Sequence, residues 1–281
     1  MKQFTKFKGF DFEKLETYEE LEGFILDTSC EVHELGRDLN NYKIYGLSVG
    51  DLSKPMIFID GAIHGWHEWR TVHWTKGFIE RMNNPQNDGN LHLIEKMKSK
   101  FCFMVIPCLS RANYINLKRD NFVDLNRNFP IGWDNYVDNP EVRKGDYPIS
   151  EPESQAIKSV IDTYRVFAYV NTHTWGSNVG GVIETTWTGK KYQKIYEDIH
   201  KSINLSLGVD IMQLKSRNSA TTPWASEWVC SQDSKCGGNV LGVIMESGGG
   251  QPENFQAELG MTALFIISYE ICEYYTTRCL M

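Results

Sequence analysis

The sequence predicts an α/β fold, a β-sheet flanked by helices in one domain spanning residues 1–281. Three observations lead there. Apolar residues alternate along the chain between runs of strand length and helical spacings. Several runs, such as 55–63 and 101–107, are almost wholly apolar, as strands covered on both faces require. Low-complexity tracts, internal repeats and Pro/Gly-rich linkers are missing, and a chain of this length can bury about three quarters of its unfolded surface in one core.

In chain order, 18–26 reads as a helix and 42–49 as a strand closed by the Gly50-Asp51 turn. The apolar run 55–63 is a buried strand that leaves His64 at its carboxyl end. A helix over 68–82 stops at Asn83-Asn84-Pro85, and 101–107 is another buried strand. Residues 132–147 are rich in Asp, Asn and Gly without periodicity, which predicts a surface loop beside a site. Ser150 is expected to cap the next helix, with Glu151 and Glu153 in its first turn, where the helix dipole favours anions. A strand over 165–172 delivers His173. Ile195, Ile199 and Ile203 share one helix face, 240–246 is a strand ending in Glu246, and 256–275 is a long closing helix.

Lys and Arg number 29 against 36 Asp and Glu, a net charge of −7, so a phosphate-binding nucleic-acid surface is not expected. The longest apolar runs, such as 263–267, fall far short of the ~20 residues of a membrane helix. Seven cysteines without a C-x-x-C pair read as reduced thiols. With no secretory signal in residues 1–10, a cytoplasmic location is the expectation.

Four places set an ionisable residue at or just beyond the carboxyl end of a predicted buried strand, the edge where open α/β sheets bind ligands. They are Ile63-His64-Gly65-Trp66-His67-Glu68-Trp69, Val123-Asp124-Leu125-Asn126-Arg127-Asn128-Phe129-Pro130, Val170-Asn171-Thr172-His173 and Val243-Ile244-Met245-Glu246-Ser247. A catalytic zinc site takes three protein N/O ligands and leaves one position open, and His64, Glu68 and His173 form such a His2Glu set. Glu246 is then free to act as a base. The zincin pattern H-E-x-x-H begins at His67-Glu68 but fails, because position 71 is Thr. Gly248-Gly249-Gly250 lacks the companions of a phosphate-binding loop and reads as a turn.

Together these segments resemble the zinc metallocarboxypeptidase family of the carboxypeptidase A type. That family carries a G-x-H-x-x-E-W motif, an Asp-Leu-Asn-Arg-Asn-Phe block, a third histidine and a late glutamate, in that order. The resemblance extends to Thr17-Tyr18-Glu19-Glu20-Leu21 and to Ser150-Glu151-Pro152-Glu153, and so covers about 17–275. It implies a mixed, twisted sheet between helices (phosphorylase/hydrolase-like) and one Zn2+ per chain on His64, Glu68 and His173. Asn126 and Arg127 would take the terminal carboxylate of a peptide substrate, for which a guanidinium fork is suited. Glu246 would be general base and acid, and Arg119, with Arg111 as rival, would stabilise the oxyanion. The implied activity is hydrolysis of the amide bond next to a free carboxylate. The alternatives are a peptidoglycan-peptide or acyl-amino-acid amidase on the same fold, and a non-catalytic relative that binds peptide tails.

The chain departs from the family at three points. The spacing from His64 to Glu68 is one residue longer than usual, which leaves His67 at the ordinary ligand position; Glu68-Trp69 keeps the acid–tryptophan pair. Trp66 and His67 stand where the family often has arginine. Around 221–228 no tyrosine matches the family's flap hydroxyl.

Overall fold

The computed structural model describes residues 17–87, 89–118, 123–140, 142–175, 181–186, 188–208, 212–216, 222–248 and 253–278. Its strands are β1 (Glu31–Arg37), β2 (Lys43–Val49), β3 (Met56–Asp60), β4 (Cys102–Ile106), β5 (Val166–Trp175), β6 (Gly181–Thr185), β7 (Met212–Ser216) and β8 (Leu241–Gly248). They form one eight-stranded sheet in the order β1-β2-β4-β3-β5-β8-β6-β7. The sheet is mixed. β4, β3, β5 and β8 run parallel at its centre, β2 and β6 flank them antiparallel, and β1 and β7 close the edges.

The helices are α1 (Tyr18–Asp27), α2 (Trp69–Asn83), α3 (Leu91–Lys100), α4 (Arg111–Ile115), α5 (Pro152–Thr163), α6 (Gln193–Leu207), α7 (Ala225–Ser231) and α8 (Glu253–Arg278). Alternation along each central strand splits the core into two layers. Ile57 and Ile59 of β3, Ala168 and Val170 of β5, and Val243 and Met245 of β8 pack with α1, α2, α3, α6 and α8. Met56 and Phe58 of β3, and Val166 and Tyr169 of β5, pack with α5 and α7. On that second face the pattern turns polar toward the carboxyl ends: Asp60 follows Phe58, Asn171 and His173 follow Tyr169, and Glu246 follows Ile244.

Two glycines set the close approach of α2 and α8. A Cβ at Gly260 would overlap the indole of buried Trp74, and one at Gly77 would overlap the thioether of Met261. Each helix thus offers a bare backbone patch to a large side chain of the other.

Ser150 does not cap α5. The cap position is Glu151, with Pro152 at the first helical position, where its missing N–H costs nothing. The Ser150 hydroxyl instead donates to Glu151 Oε1 at 2.7 Å and accepts from Asn128 Nδ2 at 2.9 Å, tying α5 to the segment after Arg127. The cysteines of the described residues are free thiols. No helix among the described residues is long and apolar enough to cross a membrane.

Candidate metal centre

The site is built where the apolar face-two pattern of β3, β5 and β8 ends. After β3 the chain turns through Gly61-Ala62-Ile63, with Ala62 and Gly65 at positive φ (52° and 58°). Gly65 has no alternative: a Cβ there would lie 2.5 Å from Asn113 Cβ and 2.8 Å from the Lys118 carbonyl. The following 3-10 turn, Gly65–Glu68, absorbs the extra residue of the first motif. It brings Glu68 back over His64, so that His64 Nδ1 lies 2.9 Å from Glu68 Oε1. Glu68 is buried, whereas His67 is exposed, with its ring edge-on to Trp66. The geometry therefore gathers Glu68, and not His67, with the two histidines.

From β5, His173 sends Nδ1 to the same Glu68 oxygen at 2.8 Å. His64, Glu68 and His173 offer ligand atoms all within 4.8 Å of one another, and all three are buried. Each ring is held from behind. His64 Nε2 lies 3.0 Å from Asp124 Oδ1, and His173 Nε2 lies 2.6 Å from Asn171 Oδ1. With those acceptors taking the Nε2 protons, both Nδ1 atoms turn lone pairs toward one carboxylate oxygen. Such a cluster calls for protons on the rings or a cation between them. Two imidazole nitrogens and a carboxylate are a donor set that fits zinc, and acceptors behind each ring are the usual outer support of a histidine ligand.

The electrostatics agree. Burial alone would raise the Glu68 carboxyl, but the His64 and His173 rings outweigh it and hold that group well below the usual carboxylate range. Burial would lower His64, yet Glu68 and Asp124 outweigh it and push the imidazole well above its ordinary value. Behind His173, burial pushes the Asp60 carboxyl up to about 6 against the donors of Asn171 and Tyr169.

Glu246 stands directly across from His173 in the parallel β5–β8 register. Residues paired in this way project from the same face, on strands about 4.8 Å apart. Asn126 is buried; its Oδ1 accepts from the Ala225 N–H at 3.0 Å, and its Nδ2 lies 3.3 Å from His173 Nε2. Arg127 donates Nη1 to its neighbour's carbonyl, Asn126 O, at 2.8 Å. Its guanidinium carbon sits 5.8 Å from the ring centres of both Tyr136 and Trp224. Among the described residues no carboxylate pairs with it.

Arg119 lies outside the described residues. Its rival Arg111 is committed elsewhere: it stacks 3.2 Å from the Tyr18 ring centre and donates to Glu22 Oε1 and to the Lys43 carbonyl. Sequence reasoning passed over Asp124 as a partner of His64, quoted Asn171 within its motif without giving it a role, and missed Asp60 and Tyr136. A signal existed for Asp60, since an acid inside an otherwise apolar strand is rarely buried without a role. The segment 221–228 offers no hydroxyl aromatic, but Tyr136 brings a phenol beside Arg127 from the loop 132–147.

A sequence profile of the zinc carboxypeptidase family matches residues 26–207. The chain is 26% identical over 166 residues to rat (Rattus norvegicus) mast cell carboxypeptidase A, an overlap of 50% of this chain and 40% of that protein. The match thus spans well under half the length of this relative. By fold, the chain superposes on the crystal structure of carboxypeptidase A from Helicoverpa armigera with a TM-score of 0.76 at 18% identity, covering 95% of this chain and 75% of that one. Murein-tripeptide amidase from Escherichia coli O157 superposes with a TM-score of 0.52 at 18% identity, over 84% and 91% of the two chains.

Proposed function

The chain belongs to the zinc carboxypeptidase family, and from that premise we propose that it is a zinc-dependent hydrolase cleaving the amide bond next to a free carboxylate. His64, Glu68 and His173 would hold the metal. The observation that carries this reading is the meeting of two imidazole Nδ1 atoms at one buried carboxylate, each ring backed by an acceptor on its far side. Bound zinc supplies Lewis acidity and makes water acidic enough to react near neutral pH.

The remaining steps belong to the chain's own groups. Glu246 takes the proton of the attacking water and passes it to the leaving amine, the work of a positioned general base and acid. Arg127 binds the substrate's terminal carboxylate through its unpaired edge, and Asn126 Nδ2 adds a donor between that carboxylate and His173. His64, Glu68 and His173 are themselves buried, so the contacts among them act in surroundings of low dielectric.

Metal analysis tests the reading first. Protein purified without added zinc should carry one zinc per chain, and His64→Ala, His173→Ala and Glu68→Ala should each lose it while His67→Ala keeps it. Full zinc content in the Glu68 or histidine variants would overturn the ligand set. Hydrolysis of an N-acylated L-dipeptide and of a D-centred, γ-linked peptide should then be compared. Cleavage of the second alone would favour an amidase of the murein-peptide kind.

A further inference from the structure

We infer that Asp60 is a positioning residue for the metal centre: through the side-chain amide of Asn171 it sets which nitrogen of His173 carries the proton. This inference rests on His173 being a zinc ligand.

The path is short and wholly buried. Asp60 ends β3, and its Cα partner in β5 is Asn171, so the two side chains share a face. Asn171 Nδ2 donates to both Asp60 oxygens, at 2.9 and 3.2 Å, and the Tyr169 hydroxyl donates to Asp60 Oδ2 at 2.8 Å. Asp60 and Asn171 are fully buried, so neither side chain trades these bonds for water. Both Asp60 oxygens are thus held as acceptors, and neither is placed to give Asn171 a hydrogen. Asn171 must therefore turn its Nδ2 toward Asp60 and its Oδ1 toward His173, at 2.6 Å from Nε2. That oxygen demands a hydrogen on Nε2, and a neutral imidazole with hydrogen there keeps its lone pair on Nδ1, facing Glu68 and His64.

The arrangement is needed because a second amide pulls the other way. Asn126 Oδ1 is occupied by the Ala225 N–H, so Asn126 presents Nδ2, a donor, to the same His173 nitrogen at 3.3 Å. Left to Asn126, Nε2 would accept and Nδ1 would carry the hydrogen, blocking it as a ligand. The shorter bond to Asn171 prevails, and it prevails in that orientation because Asp60 can only accept.

Asp60→Asn tests this with almost no change of shape. The Tyr169 hydroxyl would hold the new amide by its oxygen, the amide would offer its NH2 to Asn171, and Asn171 would flip, leaving two donors against Nε2. Zinc affinity, measured by competition with a chromophoric chelator, should fall about 10–100-fold, the usual cost of losing an outer partner of a histidine ligand. The swap Asp60→Asn with Asn171→Asp restores an acceptor opposite Nε2 while keeping every bond paired. It should recover affinity to within a few-fold of wild type, and with cobalt in place of zinc it should restore the wild-type visible spectrum. Unchanged zinc affinity in Asp60→Asn, or a swap as weak as that single variant, would overturn the inference. If Asp60→Asn does not fold, Asn171→Ala takes its place: it should lose the same 10–100-fold, and unchanged affinity there also overturns the inference. Failure of wild type itself to bind zinc would instead sink the ligand assignment on which this rests.

Discussion

Replacing Arg127 by Lys tests the proposed carboxylate recognition by separating its geometry from its charge. In the structure, Nη1 is spent on the Asn126 carbonyl, and Nε is buried without a hydrogen-bond partner. The edge formed by Nε and Nη2 is therefore the one left for a substrate, and a planar edge of two parallel donors matches the two oxygens of a carboxylate. The Tyr136 and Trp224 rings beside the guanidinium restrict its swing. Lys keeps one positive charge but presents a point donor, so one charge-assisted hydrogen bond of about 1.5–3 kcal/mol is lost. At 1.4 kcal/mol per tenfold, kcat/KM on a free-acid substrate should fall about 10–150-fold. The same peptide as its C-terminal amide is the control. Wild type should strongly prefer the acid, and Arg127→Lys should shrink that preference by the factor lost on the acid, with zinc content equal in both proteins. Equal cleavage of acid and amide by wild type, or an unchanged preference in the variant, would refute the reasoning.

Glu246→Gln preserves shape and removes the proposed base, so kcat should drop about 10²–10⁴-fold with zinc content unchanged; wild-type turnover in the variant would assign the proton transfer to another group. Burial pushes the Glu153 carboxyl up to about 7 from 4.5, so its contribution is greatest below pH 4.5 and is lost as pH rises to 7, about 3 kcal/mol in all. Urea unfolding of wild type and Glu153→Gln at pH 4.5 and 7.5 should show that difference, and parallel stabilities would contradict it. Gly260→Ala drives a methyl into the rigid Trp74 indole, costing about 1–3 kcal/mol of overpacking against about 1 kcal/mol of helix propensity gained. Gly77→Ala meets only the flexible end of Met261, so thermal unfolding should rank Gly77→Ala as the more stable variant; the opposite ranking would discount the close crossing of α2 and α8.

The parts of the fold legible from sequence are those whose burial is extreme. β3, β4, β5 and β8 lie at the sheet's centre, and their runs of Ile, Val, Phe and Met announce it. β1 escaped notice because an edge strand reading Glu-Val-His-Glu-Leu-Gly-Arg is half exposed throughout and carries a bulge between Glu34 and Gly36. β6 and β7 have five residues each and α4 has five, too few for a period to show. Legibility at the site follows a similar division. His64, Glu68 and His173 stood out by position at strand ends and by resemblance; Glu68 was preferred to His67 on the acid–tryptophan pair, and the turn that brings residue 68 back over residue 64, which gathers it with the histidines, could not be read from sequence. Asp60 and Asn171 could not be linked from sequence, because their bond crosses between strands 111 residues apart.

Asp60, His173 and Glu246 stand on three adjacent strands, β3, β5 and β8, joined by backbone ladders. Their spacing is thus written in the main chain. Arg127, Tyr136 and Trp224, by contrast, come from segments outside the sheet. Such a division of labour separates two rates of evolutionary change. Insertions and exchanges in the outer segments can retune which molecules are accepted while the residues carried on the sheet keep their distances, so a lineage built on this plan can acquire a new diet without having to rebuild its centre.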